Sequence, residues 1–367
     1  MKIASATIPL GEVCPVTNRK PKAFAGARNY YSTGAVGLEG EISEPETVDF
    51  ENRPSRAGCM PEIGDIGFAR MKGTKKVILI DESLCGSLFS TGFCFIAPGH
   101  QVLPRYAFYF ITSDRFQDAK DSAAGDGIMG GIKNSDAESI EVPVLPLAEQ
   151  QRIVGVLDEA FAGLATATAH AAQNLQNARA LFESCLQIEI GEDVALGEMV
   201  DIKTGKLDAN AAVEGGKYPF FTCSRETYAI DNYAFDCEAV LLAGNNAVGD
   251  FNVKHFVGKF NAYQRTYVLT INSKRRALCR YLYFQLQKNL AKFKSQSVGT
   301  GTKFLKLGMI KDMMIPLPSV PEQTSIVEKL DALGAETQRL TRLYEQRQAA
   351  LAALKKSLLH QAFTGEL

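Results

Sequence analysis

One stretch of this chain is written twice, and a chain that repeats itself at long range is built from copies of one unit. The segment Pro143-Val-Leu-Pro-Leu-Ala-Glu149-Gln150-Gln-Arg-Ile153-Val-Gly-Val-Leu157-Asp158 returns as Pro316-Leu-Pro-Ser-Val-Pro-Glu322-Gln323-Thr-Ser-Ile326-Val-Glu-Lys-Leu330-Asp331. The match extends upstream. Leu10-Gly11-Glu12 pairs with Leu196-Gly197-Glu198, Arg105-Tyr106 with Arg280-Tyr281, and Gly125-Asp-Gly127 with Gly299-Thr-Gly301. The offset is 186 residues at Leu10/Leu196 and 173 at Glu149/Glu322, so the first copy carries 13 extra residues in its variable part. Each copy reads as a globular part followed by a helix. At 367 residues the chain also exceeds what one core usually fills.

The segments after the repeated motif have helical periodicity. Ile153, Leu157, Ala160, Leu164, Ala167, Ala171, Ala178, Leu181 and Cys185 follow three- and four-residue steps, interrupted at Asn174. Ile326, Leu330, Leu333, Leu340, Tyr344, Leu351, Leu354 and Leu358 do the same, interrupted at Thr337 and Arg347. Sustained heptad spacing predicts a coiled-coil seam. Each helix opens with a carboxylate, Glu149 or Glu322, where the helix dipole favours negative charge. Forty residues at ~1.5 Å each make a rod of ~60 Å. The first helix leads from one globular part to the other, and the second must run back to pack on it. The expected fold is therefore α+β: two similar mixed α/β domains joined by two long antiparallel coiled-coil helices, related by a pseudo-two-fold axis. The expected segments are 1–145, 146–190 (helix), 191–317 and 318–367 (helix). Within the globular parts, strands are expected at 75–81, 88–97, 239–243 and 266–271, and helices at 106–113 and 281–288. Short final strands at 142–145 and 313–317 feed the helix prolines.

Composition narrows the class. With 46% hydrophobic and 22% charged residues, and no apolar run near the ~18 to 20 residues of a membrane helix, the chain reads as a cytoplasmic protein without a secretory signal. Eight scattered cysteines, none in a CxxC pair, fit reduced thiols. Cys223, Cys237 and His255 match no metal-ligand spacing, so no metal is expected. The net charge of −1 hides an asymmetry. Residues 251–311 hold thirteen Lys or Arg and no Asp or Glu, whereas residues 1–145 hold 15 basic and 18 acidic side chains. Sixty-one residues without an acid point to a polyanionic partner.

The chemistry of a nucleic-acid enzyme is missing. There is no Asn/Asp-Pro-Pro-Tyr/Phe tetrapeptide, no GxxxxGK[ST], and no glycine-rich loop in strand–turn–helix context. Gly34-Ala-Val-Gly37 and Gly125-Asp-Gly127 read as turns. None of the four histidines (His100, His170, His255, His360) has a nucleophile partner in view. A binding protein is expected, with no catalytic residues and no cofactor of its own. A coiled-coil adaptor without DNA specificity is the rival reading.

The repeat, and above all the tail Ala353-Leu354-Lys355-Lys356-Ser357-Leu358-Leu359-His360-Gln361-Ala362-Phe363-Thr364-Gly365-Glu366-Leu367, resembles the specificity subunit of type I restriction-modification systems. In that family a Pro-Leu-Pro segment followed by Glu-Gln and an isoleucine opens each conserved helix, as at 143–153 and 316–326 here. Residues 231–236, 244–246 and 262–265 also resemble its second target recognition domain, while 18–22 departs from the usual opening. The resemblance implies two domains that each read a half-site of double-stranded DNA, with the helices as a ruler between them. It implies two methyltransferase subunits docked on the helices, bringing S-adenosylmethionine and flipping adenines. A motor-nuclease (restriction) subunit would join them in prokaryotic defence.

Phosphates are met by Lys or Arg and base edges by Arg, Lys, Asn or Gln. In the second domain the candidates are Lys254, Lys259, Arg265, Lys274 and Arg275 for the backbone, and Asn245, Asn246 and Gln264 for bases. Asn245-Asn246 equally fits a tight turn, and Arg265 an internal ion pair. In the first domain the candidates are Arg53, Arg56, Arg70 and Lys72, which equally fit solvated charge. Tyr30, Tyr31, Tyr106 and Tyr281 are expected in the core. Ile153, Leu157, Leu164, Leu181, Ile326, Leu330, Leu340, Leu351 and Leu358 are expected along the helix seam.

Overall fold

A computed structural model describes residues 6–17, 19–37, 41–125, 130–187, 190–272, 274 and 276–367. Arg275, Asn18 and the 126–127 part of the Gly125-Asp-Gly127 turn lie outside the described residues. The chain divides into two compact units, Met1–His170 with Gln346–Leu367, and Ala171–Glu345.

In the first unit, strand Ala6–Pro9 pairs antiparallel with Glu141–Val144. One four-stranded sheet runs Val16–Thr17, Phe93–Ile96, Ile66–Ala69, Val77–Leu79. The other runs Glu46–Val48, Arg28–Tyr31, Leu88–Ser90, Ala57–Cys59. Side chains alternate across a strand, and both faces of the first sheet are covered. Phe68, Cys94 and Ile96 pack with helix Pro104–Thr112, whereas Ile78, Phe93 and Phe95 pack with Tyr31 and Phe89. That explains why Ile66–Ala69 and Phe93–Ile96 are apolar throughout. The expected strand at 88–97 is two strands, because the chain turns at Thr91 and Gly92, where Gly92 N–H donates to Ser90 Oγ at 3.1 Å.

The second unit pairs Glu192–Ala195 with Met314–Leu317. Its main sheet has the order Val200–Thr204, Thr266–Ile271, Phe235–Ala243, Val253–Ala262, Tyr218–Phe221, Thr227–Ile230. All neighbours are antiparallel except Tyr218–Phe221 beside Val253–Ala262. Helix Cys279–Lys288 covers one face through Leu282 and Leu286, against Val240, Leu242 and Leu269. Ala239, Leu241 and Val268 pack with Phe221 and Phe260 on the other. The strand Val253–Ala262 carries Lys254, His255 and Lys259 and bends at Gly258 (φ 122°), which hides it from an apolar pattern.

Long helices follow both repeated motifs, at Leu147–Leu186 and Val320–Thr364. The repeated residues form the same lock in each unit. Tyr106 Oη donates to Pro143 O at 2.8 Å, and Tyr281 Oη to Pro316 O at 2.6 Å. Gln150 accepts from Leu103 N–H (2.9 Å) and donates to Gln101 O (2.8 Å) and Leu145 O (2.7 Å). Gln323 accepts from Leu278 N–H (2.8 Å) and donates to Arg276 O (3.0 Å) and Pro318 O (2.8 Å). Both glutamines are 0% exposed, and each buried amide finds all three of its hydrogen-bond partners on the backbone, so none of its polar atoms is orphaned. Arg105 pairs with Asp158 (2.8 Å) and Arg280 with Asp331 (2.5 Å).

The helix stripes differ from expectation in phase. Ile153, Leu157, Ile326 and Leu330 are buried in the cores of the globular parts. Leu164, Leu340, Leu351 and Leu358 are half-buried. Leu181 is 55% exposed, and its neighbour Phe182 turns in against Phe284 instead. Half-buried Thr168, Leu175 and Phe182 keep the seven-residue beat, one residue on from the expected Ala167 and Leu181 and from the interruption at Asn174. At the end of the last helix, Phe363 sits 5.3 Å from the Tyr106 and Phe110 rings, and Arg152 Nη2 donates to Leu367 O at 2.8 Å. Burying one such ring contributes about 1.5–3 kcal/mol. Tyr30, Tyr31, Tyr106 and Tyr281 are all buried, as expected.

Candidate nucleic-acid interface

Three loops of the second unit are laced together at the end of strand Phe235–Ala243. Gly244 N–H donates to Arg265 O (2.9 Å), and Leu305 N–H donates to Gly244 O (2.9 Å). The short strand Asn245–Asn246 then pairs with Lys303–Phe304. A Cβ at Gly244 would lie 2.4 Å from Arg265 O, so only glycine lets the turn at 263–265 approach this closely. On this frame the exposed Arg265 guanidinium lies 5.1 Å from the Phe304 ring centre. Gly249 packs on the stems of Lys294 and Lys303. The rim therefore gathers Asn245, Asn246, Gln264, Arg265, Lys294 and Lys303 from segments far apart in sequence.

Several candidates hold the rim together. Lys254 Nζ donates to Ser224 O (2.7 Å) and Glu226 O (2.8 Å), and burial pushes its pKa down. Cys223, next in that loop, donates its thiol to Arg265 O at 3.3 Å. Lys254 thus positions a loop that supports Arg265. Asn246 Oδ1 accepts from Val248 N–H (2.9 Å) and Asp250 N–H (3.0 Å), which is turn chemistry. Gln264 donates to Asp208. Asn245 makes no side-chain hydrogen bond among the described residues, and Arg265 no ion pair. Lys259 is exposed beside Tyr233, whose hydroxyl raises its pKa, with Nζ 4.7 Å from the ring centre. Lys274 is exposed on a turn.

The first unit repeats the lacing with other side chains. Arg70 N–H donates to Gly92 O (3.0 Å), and Ile132 N–H donates to Arg70 O (3.0 Å). Met71 bridges to Gly131, and Lys72 N–H donates to Gly130 O at 3.1 Å. Thr91 N–H donates to Arg56 O at 2.9 Å, so Arg56 and Arg70 flank one turn. Arg70 is committed internally: Nε donates to Phe93 O and Nη1 to Ile132 O, each at 3.1 Å. Arg53 donates to Phe50 O and lies 3.9 Å over its ring. Arg56 and Lys72 are exposed and available to solvent-borne phosphate. Lys294, Lys303 and Phe304 were not singled out from sequence. Only their place in the acid-free stretch marks the two lysines.

Residues 191–348 match the family described as the type I restriction modification DNA specificity domain. The type I restriction enzyme EcoDI specificity subunit of Escherichia coli is 44% identical over 175 residues, covering 47% of this chain and 38% of that protein. The chain thus spans less than half the length of that relative. Among solved structures, a chain from a study of complex assembly and conformational transition of the type I R-M system superposes with a TM-score of 0.78 at 22% identity, covering 99% of this chain and 98% of that one. The HsdS subunit from Thermoanaerobacter tengcongensis does so with a TM-score of 0.59, also at 22% identity, covering 99% and 97%. Those two likenesses concern the fold, mixed α/β parts with long helices. Residues 191–348 thus carry a type I restriction modification DNA specificity domain, and the chain is similar in sequence to a type I restriction enzyme specificity subunit.

Proposed function

We propose that this chain reads a two-part, asymmetric sequence in double-stranded DNA, one half with each loop frame. The observation that carries the reading is the frame itself. The same two backbone hydrogen bonds hold a strand end, a turn and a returning segment in both units, while the side chains presented on them differ. A constant scaffold with variable polar and basic tips is what reading two different half-sites requires. The acid-free segment 251–311 supplies the phosphate-facing charge. In this reading the two long helices pack antiparallel around a pseudo-dyad and set the gap between half-sites. Two methyltransferase subunits dock on them and bring S-adenosylmethionine, and a restriction subunit joins for cleavage. This chain performs none of that chemistry. No helix among the described residues is long and apolar enough to cross a membrane, in keeping with action on DNA in the cytoplasm.

The test is to co-express the chain with its cognate methyltransferase and map N6-methyladenine across the host genome by long-read sequencing. Two different short motifs at a fixed spacing are expected. A single continuous motif would overturn the two-part reading. No motif at all, from a complex that forms and binds S-adenosylmethionine, would favour the adaptor.

A further inference from the structure

Away from the loop frame, the second unit brings together three side chains of different chemistry. Glu238 lies on strand Phe235–Ala243, His255 on Val253–Ala262, and Cys279 opens helix Cys279–Lys288. In the ladder Val240 faces His255 and Glu238 faces Val257. Glu238 and His255 are thus diagonal neighbours on the face that the helix covers. His255 Nε2 lies 2.8 Å from Glu238 Oε1, and the Cys279 sulfur completes a trio whose ligating atoms all lie within 4.8 Å of one another.

We propose that Glu238, His255 and Cys279 bind a thiophilic divalent cation of the zinc class, with water as the fourth ligand. Thiolate, imidazole and carboxylate are the donors zinc takes, at about 2.0–2.3 Å each, which places the ligand atoms roughly 3.3–3.8 Å apart. Side-chain rotation would have to open the 2.8 Å between His255 Nε2 and Glu238 Oε1 and draw in any longer separation to the sulfur. Burial grades from the exposed Glu238 through the half-buried His255 to the buried Cys279, which leaves an entry path from solvent. Without a cation the Cys279 thiol stays protonated, because burial and then the neighbouring Glu238 charge push its pKa up to about 12. Binding replaces that proton with the metal: the S–H bond breaks, the S–metal bond forms, and one proton goes to solvent. His255 coordinates through the Nε2 lone pair with its proton on Nδ1.

The fold does not need this trio. In the first unit Ile66 faces Leu79 as Val240 faces His255, and helix Pro104–Thr112 stands where Cys279–Lys288 does. The matching positions there are Gly64, Leu79 and Pro104, and a Cβ at Gly64 would lie 3.7 Å from Pro104 Cγ. Apolar closure builds the same corner, so three metal-ligating groups in the second unit are an addition to the scaffold. A bound cation would staple the helix start, already held through Leu278 N–H by Gln323, to the two central strands of the recognition sheet.

The test is a cobalt(II) and zinc titration of the chelator-stripped full chain. A near-ultraviolet thiolate-to-cobalt band saturating at one equivalent is expected, with one proton released per zinc. Cys279→Ser should abolish the band while circular dichroism stays unchanged, and Glu238→Gln should weaken zinc binding by about tenfold or more. Absence of the band at saturating cobalt would overturn the proposal, as would an equal band in Cys279→Ser, which would assign it to another cysteine. Should Cys279→Ser fail to fold, the exposed Glu238→Gln decides, and unchanged zinc affinity there sinks the site.

Discussion

The two loop frames have the same backbone and opposite uses of arginine. In the first unit the guanidinium belongs to the strand end, at Arg70, and is spent on Phe93 O and Ile132 O; the turn opposite carries Gly92. In the second unit the strand end is Gly244 and the turn carries Arg265, exposed over Phe304. The returning segment compensates in each case. Gly131 lies close to the Arg70 stem, whereas bulky Phe304 supports Arg265. One frame uses its arginine to hold itself together and the other offers it outward. Which guanidinium reaches solvent in these two frames therefore follows which of two facing positions is glycine, and a count of basic residues does not reveal it.

The strongest way to break the comparison is at the part both units share. Gln150→Ala and Gln323→Ala each remove the partner of one half-buried N–H and two carbonyls, at about 1–3 kcal/mol for each group that water does not reach. Each variant is expected to lose about 3 kcal/mol or more, read by urea denaturation. Losses that differ widely between the two would show that the locks are not equivalent. The next effect separates the frames. Arg265→Ala should cost about 1–3 kcal/mol in duplex binding if it meets a base edge, and lower the salt slope by about 1 if it meets a phosphate. Its stability should hardly change. Arg70→Ala should do the reverse, losing about 1–2 kcal/mol of stability as two backbone carbonyls lose charged donors. Arg70→Ala leaving stability intact while weakening DNA binding would overturn the division of roles.

These outcomes bear on what was readable in the residues alone. The repeat located both locks, since Pro143, Gln150, Pro316 and Gln323 are the residues that make them. Strand Thr266–Ile271 and both helices after Arg105 and Arg280 were legible from β-branched and aromatic patterning to within two residues. The basic strand Val253–Ala262 was not, because lysines and a glycine bend interrupt its alternation. The long-helix stripe was legible in period but one residue out in phase near Leu181, where the interruption at Asn174 marked the misfit and Thr168, Leu175 and Phe182 carry the face instead. Which arginine faces solvent depended on hydrogen bonds between segments some 20 to 60 residues apart, such as Gly244 to Arg265 and Leu305, and one-dimensional spacing carries no trace of them.

A smaller contrast lies within one dipeptide. Asn246 spends its side-chain oxygen on two backbone N–H groups, so Asn246→Ala should cost about 1–2 kcal/mol of stability. Asn245→Ala should leave stability within about 0.5 kcal/mol and act on DNA selectivity. A change of methylation motif confined to one half-site in Asn245→Ala, absent in a stability-matched control, would assign that half to the second unit.

The smallest expected effect is in the first unit, where the end of the last helix is tied down by charge. Asp114 takes Lys356 on Oδ2 and Lys75 on Oδ1, each at 2.7 Å. Lys356 first, then Lys75, hold its carboxyl below the usual aspartate range. A carboxyl depressed on folding contributes stability above its unfolded pKa and loses it as the pH falls through the folded one. The contribution should therefore be complete at neutral pH and fade below about pH 4. With Lys356 mostly solvated, it should stay under about 1 kcal/mol and shrink in salt. Asp114→Asn should flatten this acid limb in low-salt thermal melts, and Lys356→Ala should remove part of it. An unchanged limb in Asp114→Asn would mean that the apolar seat of Phe363 against Tyr106 and Phe110 holds the helix end without help from charge.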